Sequence, residues 1–205
     1  MKKTQLVAST ALAVLFASAL ALPAAAETYS IDKAHSDFTF HVRHLLSKVP
    51  GKFADVAGTI VLDDKDLTKS TVDIHIQAAS ISTQNETRDK HLRSDDFFGV
   101  EKCPEVTFVS KKIEPTKDKD VYDVTGPLTM HCISKDITLP VRFLGRAKDP
   151  WGGQRAAFEA STTLNRKDFN MLWNKSLDGG GFLLGDNVEV TIAIEAFQPQ
   201  PEKKK

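Results

Sequence analysis

Period-two alternation constrains this chain more than any other feature. In Phe38-Thr39-Phe40-His41-Val42-Arg43 every second side chain is apolar. Successive side chains on a strand point to opposite faces, so this pattern describes a strand with one face in an apolar interior and the other in water. The pattern recurs seven more times. Ile60 and Leu62 end a segment near 52–62, and Val72, Ile74 and Ile76 mark the next. Val106 and Phe108 mark 104–113, and Val124, Leu128 and Met130 mark 121–131. Ile137, Leu139, Val141 and Phe143 follow, then Ala156, Phe158 and Ala160, then Val188, Val190, Ile192 and Ile194. Pro140 implies an edge or a bulge in its segment. Polar links at 63–66, 115–120 and 149–153 read as short hairpin connections. One short helix is expected after the third strand, where Asn85 can cap and Arg88, His91, Leu92 and Asp95 recur at helical spacing before Phe97-Phe98. It reads as a lid or side helix.

Hairpin-linked strands form a sandwich or an up-and-down barrel. Eight strands close into an all-β, antiparallel barrel whose interior holds side chains or one small ligand. The barrel is preferred. Its expected lining is Phe38, Phe40, Val42, Ile74, Phe108, Met130, Leu139, Phe143 and Phe158, with the small Ala156 and Ala160 leaving room for a guest. In the alternative reading phenylalanine fills that room.

Lys2 and Lys3, an apolar run from Leu6 to Leu22 and the small residues Ala24 to Ala26 form the pattern of a signal peptide over 1–26. A membrane anchor is the competing reading, but the run ends in Pro23 rather than in positive flanks. The expected barrel domain is 27–197, and the proline- and charge-rich tail 198–205 is expected to be disordered. Export places the chain in the periplasm. The full chain balances 27 basic against 27 acidic residues, which argues against nucleic acid as a partner.

No constellation names a catalytic group, so the chain does not read as an enzyme. The neighbours His35-Ser36-Asp37 point to alternate faces of a strand and cannot form a triad there. The six histidines include no helical His-x-x-x-His, and no metal site is expected. Gly179-Gly180-Gly181 lacks the Lys-Ser/Thr of a phosphate loop and precedes Phe182, Leu183 and Leu184. It reads as a flexible, apolar-tipped segment near the barrel mouth.

Several stretches together carry a family likeness: RDKHLRSDDFF (88–98), the step from Pro104 to Phe108, GPLTMHCISKDITLPV (126–141), DPWGGQRAAFEA (149–160) and RKDFN (166–170). In order along nearly the whole chain after the leader, beginning at His35, Ser36 and Phe38, the sequence resembles the YceI-like family of bacterial periplasmic proteins. The resemblance implies a lipocalin-like barrel enclosing a polyisoprenoid, such as a polyprenyl phosphate or a quinone tail, with no further cofactor. Arg88, His91, Arg93 and Arg155 are the candidates for holding its head group.

The chain departs from the family pattern at Cys103, where an aromatic is usual, and at Cys132, where a glycine is usual. A hairpin about 115–120 brings these positions within disulfide reach, and the periplasm permits the bond. Strict alternation puts the two on different faces, so a bridge would need a bulge, with Gly126-Pro127 the candidate place.

The expected function is therefore a lipid-binding carrier, a monomer or homodimer that touches membranes transiently. The alternatives are an outer-membrane barrel, a redox- or haem-associated carrier suggested by His131-Cys132, and a structural stress-response protein with a filled barrel.

Overall fold

A computed structural model of the chain describes residues 26–199. The expected leader, apart from Ala26, and the tail from Gln200 onward lie outside the described residues. Twelve strand segments occur in chain order. They are β1 (Glu27–Ile31), β2 (Asp37–His44), β3 (Ser47–Phe53), β4 (Val56–Leu62), β5 (Thr71–Gln77), β6 (Ile81–Ser82), β7 (Glu105–Val109), β8 (Lys112–Pro115), β9 (Val121–Met130), β10 (Ile133–Lys148), β11 (Gln154–Asn165) and β12 (Leu184–Phe197). Breaks at 32–36, 54–55, 78–80 and 110–111 split four long strands into the pairs β1/β2, β3/β4, β5/β6 and β7/β8. The twelve segments thus build eight walls, joined antiparallel in chain order.

Closure comes from the ends of the chain. At one end of the barrel β1 lies between β4 and β12, with Tyr29 opposite Ile60 and Ile31 opposite Ala196. At the other end β12 pairs with β2, Val190 facing Phe40, and β2 continues to β3. β1 is missing from the sequence reading, which began the first strand only at the Phe38 alternation. Tyr29 and Ile31 are two inward residues of a five-residue strand, too short a run to stand out.

Pro140 is at a local edge of its strand and not at a bulge. It lies opposite Asp123 within the β9–β10 ladder, immediately beyond the last β10–β11 pair, Val141 with Ala160. The Phe143 N–H donates toward β9, to the Asp120 carbonyl at 2.8 Å. Backbone alternation then turns the Pro140 nitrogen toward β11, where it has no hydrogen to give. From there β10 and β11 diverge. A 3-10 turn, Arg166–Phe169, fills the fork, held by an ion pair from Lys135 to Asp168 at 2.8 Å and by buried Phe169.

The irregularity expected at Gly126-Pro127 is on the facing strand. Thr107 pairs with Thr129 and Phe108 with Leu128, but Lys112 pairs with Thr125, so the β7/β8 side carries one extra residue. The Val109 carbonyl bulges inward there, 2.0 Å from where a Cβ on Gly126 would lie, so the position admits no side chain.

One end of the barrel is solid. Tyr29, Ile60, Leu62, Ala156, Phe158, Ile194 and Ala196 are buried together, and Phe143 packs on Phe158 with ring centroids 5.4 Å apart. The Tyr29 hydroxyl donates to the Glu27 carboxylate at 2.6 Å. Burial first, then that hydrogen bond, pushes the phenol from its ordinary 10.0 up to about 12. The folded state thus favours neutral Tyr29. Its contribution is intact below about pH 10 and is lost as pH rises to about 12, at up to ~1.4 kcal/mol per pH unit. Urea unfolding across that range should show the loss in the wild type, and Tyr29→Phe should flatten it.

Candidate binding cavity

Where β10 and β11 part, the interior opens. Ile137 and Leu139 from one side of the fork and Thr162 and Leu164 from the other face a cavity of about 780 Å³. The wall continues through Phe38, Phe40, Val42, Ile74, Phe108 and Met130, then Val188, Val190 and Ile192 of β12. Inward positions on β12 show the change along the barrel axis. Ile194 and Ala196 are buried in the solid end, whereas Val188, Val190 and Ile192 are half-buried because they face the open space. Phe40 lies across Gly51, its opposite number on β3, with the ring tip 2.2 Å from where a Cβ would stand. Glycine at 51 therefore lets that ring lie flat against the wall.

Of the nine expected lining residues, seven border the cavity, and Phe143 and Phe158 do not. Both are inward, as alternation requires, but they are in the solid end; parity gives the face and not the depth. Ala156, expected to leave room, is packed into the same solid end, and Ala160 does not border the cavity either. Room comes instead from the fork beside Pro140.

The helix α1 (Glu86–Arg93) covers part of the mouth. Asn85 caps it, its side-chain oxygen accepting from the Arg88 N–H at 3.0 Å. Thr87, Arg88, His91 and Leu92 face the cavity, and the turn after the helix adds Phe97 and Phe98. Arg88 donates to the Thr83 hydroxyl at 2.7 Å and to the Thr83 carbonyl at 2.9 Å. Buried Asp89 accepts from the Thr83 N–H at 2.8 Å, which fixes the start of the helix to β6. His91 stands edge-on to Phe97 and Trp173 and pairs with Asp96 at 2.8 Å.

The other two head-group candidates are elsewhere. Arg93 turns outward and donates to the carbonyls of Ala79 and Ile81, clamping α1 onto the end of the third wall. Arg155 begins β11 at the solid end, where it pairs with Asp32, Asp149 and Glu195. The turn before it pointed to a barrel end but not to which one. Partial burial pushes the Asp32 carboxyl up, but hydrogen bonds from His35 and Arg155 outweigh it and hold the group at about 2. Asp32, His35 and Glu195 bring three possible metal-ligand atoms within 4.8 Å of one another. The Arg155 guanidinium, 2.5 Å from Asp32 and 3.1 Å from Glu195, already acts as their counter-ion.

Sequence reasoning missed Arg166. It is 4% exposed, borders the cavity and donates to the carbonyls of Gly185, Met171 and Trp173 while pairing with Asp186 at 3.0 Å. It thereby straps the 171–173 segment to the start of β12. Its one signal was a place at the head of the family-like stretch RKDFN (166–170), with nothing to mark it as buried.

Cys103 and Cys132 are joined by a disulfide, Cα atoms 5.3 Å apart. The face conflict dissolves because neither is in a strand. Cys103 precedes β7, and Cys132 follows His131 in the two-residue β9–β10 turn, both with positive φ, 50° and 57°. The bond ties the end of the Phe97-Phe98 segment to that turn without the bulge expected at Gly126-Pro127. The His131 ring nitrogen is bonded to the Phe169 carbonyl at 2.9 Å, and neither His131 nor Cys132 borders the cavity. Ser36 is engaged with the Glu195 backbone, not with His35.

The family model for the YceI-like domain matches residues 29–196. The chain belongs to the YceI-like family. Among YceI relatives, the protein YceI of Escherichia coli O157:H7 is 39% identical over 178 residues, 85% of this chain and 89% of that one. Two solved structures share the fold. Burkholderia cenocepacia BcnA matches with a TM-score of 0.71 at 21% identity, over 80% of this chain and 98% of that one. A polyisoprenoid binding domain from Saccharophagus degradans matches with a TM-score of 0.62 at 15% identity, over 83% and 98%.

Leu139→Trp should crowd the cavity of this YceI-like barrel and weaken binding of a fluorescent apolar probe about tenfold, the ratio ~1.4 kcal/mol represents. Phe158→Ala should instead cost roughly 3–5 kcal/mol of stability by denaturant titration and leave probe affinity unchanged.

Proposed function

We propose that this protein is a periplasmic carrier that shelters the chain of a long polyisoprenoid in the open end of its barrel. The observation that carries the reading is a cavity of about 780 Å³ with a mostly apolar wall and a group of polar side chains beside α1. A linear hydrocarbon suits such a wall. Each buried methylene contributes roughly 0.8 kcal/mol, so affinity grows with chain length and needs no polar contact along it. Thr83, Asn85, Thr87, Arg88 and His91 all border the cavity on one side, where a head group can meet donors while the chain runs inward.

Family membership and the fold shared with a polyisoprenoid binding domain support the same reading. The outer-membrane reading fits less well. Apolar side chains face inward, and outward neighbours such as Arg142 and Glu159 are charged and oppose each other across β10 and β11.

Native mass spectrometry of the protein from its own cells, followed by solvent extraction and accurate-mass identification, tests the proposal. The expected result is one prenyl lipid per barrel. A ligand-free protein that also rejects added prenyl alcohols, prenyl phosphates and quinones would overturn it.

A further inference from the structure

Seven large apolar side chains are exposed among the described residues, and four of them belong to segments that rim the cavity mouth: Leu45, Leu46, Leu172 and Phe182. Leu46 is 95% exposed and Phe182 64%. The four lie on segments that touch. The Leu45 N–H donates to the Leu183 carbonyl at 3.0 Å, and Arg166 bonds the carbonyls on either side of Leu172 together with that of Gly185. Their chain neighbours His44, Met171, Trp173 and Leu183 turn the other way and border the cavity. Apolar surface therefore runs from outside the mouth to inside it. At the solid end Leu144 and Trp151 are exposed singly, as scattered surface residues commonly are.

Charge selects the occupant. The turn Arg43-His44-Leu45-Leu46-Ser47-Lys48 contains no carboxylate, and the Arg43 guanidinium donates to the Leu46 carbonyl rather than to an acid. Among the described residues Arg43, Arg88, Lys90 and Lys175 have no carboxylate within ion-pair distance. The acids Glu86, Asp186 and Glu189 at this end are each paired with a cation, whereas buried Asp89, held by Thr83, and Asp178 are not. An apolar tip flanked by Arg43 and Lys175, neither in an ion pair, matches an anionic phospholipid surface, whose hydrocarbon takes the tip and whose phosphates take the cations. A second copy of the chain suits it less, because a two-fold contact would set the same cations against each other.

We propose that this rim docks on anionic phospholipid bilayers, setting the cavity mouth against the membrane. The proposal deepens the lipid-carrier reading, which supplies its purpose, but the docking itself is measured separately. The purified protein is floated with vesicles of phosphatidylcholine alone and of phosphatidylcholine mixed equally with phosphatidylglycerol, while its lipid content is followed by solvent extraction. The expected result is flotation with the anionic vesicles, lost at high salt. Leu46→Glu with Phe182→Glu should reduce it about tenfold or more, and Arg43→Gln with Lys175→Gln should erase the preference for anionic lipid. Trp151→Glu, at the far end, should leave it unchanged. Circular dichroism and apolar-probe binding matching the wild type show that each variant is folded.

Absence of flotation, or flotation that survives Leu46→Glu with Phe182→Glu, would overturn the docking proposal. So would a concentration-dependent dimer abolished by the same pair without any vesicle binding, which would make a second copy the occupant. A protein that carries prenyl lipid yet ignores vesicles would refute docking alone. One that floats but neither carries nor accepts prenyl lipid would refute the carrier reading alone.

Discussion

Everything in this molecule depends on the seam where the last strand meets the first. β12 pairs with β1 near its end and with β2 along the rest, and β11 covers its other edge. Ser36, at the break between β1 and β2, locks the seam. Its hydroxyl donates to the Glu195 carbonyl at 3.2 Å and accepts from the Glu195 N–H at 3.1 Å. Closing eight strands fixes the width of the interior, and side-chain size then decides what is filled. Tyr29, Phe143 and Phe158 fill one end; at the other, where β10 and β11 part, aromatic and aliphatic side chains together line a hollow.

The hollow end is held open by polar chemistry at its margin. Pro140 ends a ladder, the 3-10 turn occupies the fork, and buried Arg166 spans the gap between that turn, the 171–173 segment and β12. A buried guanidinium is tolerable because each of its three nitrogens donates to a carbonyl or a carboxylate. On the opposite margin Asp89, Thr83 and Arg88 knit α1 to β6, and the disulfide anchors the segment that follows. The cavity is thus bordered by two differently fastened flaps, one covalently tied and one strapped by hydrogen bonds.

Much of the fold was legible because alternation reports a face directly. Phe38, Phe40 and Val42 had to be inward if His41 was to remain in water, and the eight walls followed. Depth was not legible. Phe143 and Leu139 share a face and differ only in distance along the axis, a quantity set by where β10 and β11 part. Arg155 and Arg88 both adjoin turns, and only closure assigns them to opposite ends. β1 was hidden by its shortness, and the Cys103–Cys132 conflict arose from treating turn positions as strand positions. The glycine that the resemblance implied at 132 carried the missing hint, since the φ of 57° at Cys132 is a conformation glycine adopts easily.

The seam also orders events in time. Ser36 and Glu195 are 159 residues apart, so the contact that completes the wall joins the two extremities of the folded unit. Contacts so distant in sequence form late, after shorter hairpins have paid little loop entropy. Until they form, the apolar faces of eight strands belong to an open, curling sheet and enclose nothing. On the carrier reading proposed above, the place for a lipid is a product of that closure and of nothing earlier in the chain's folding.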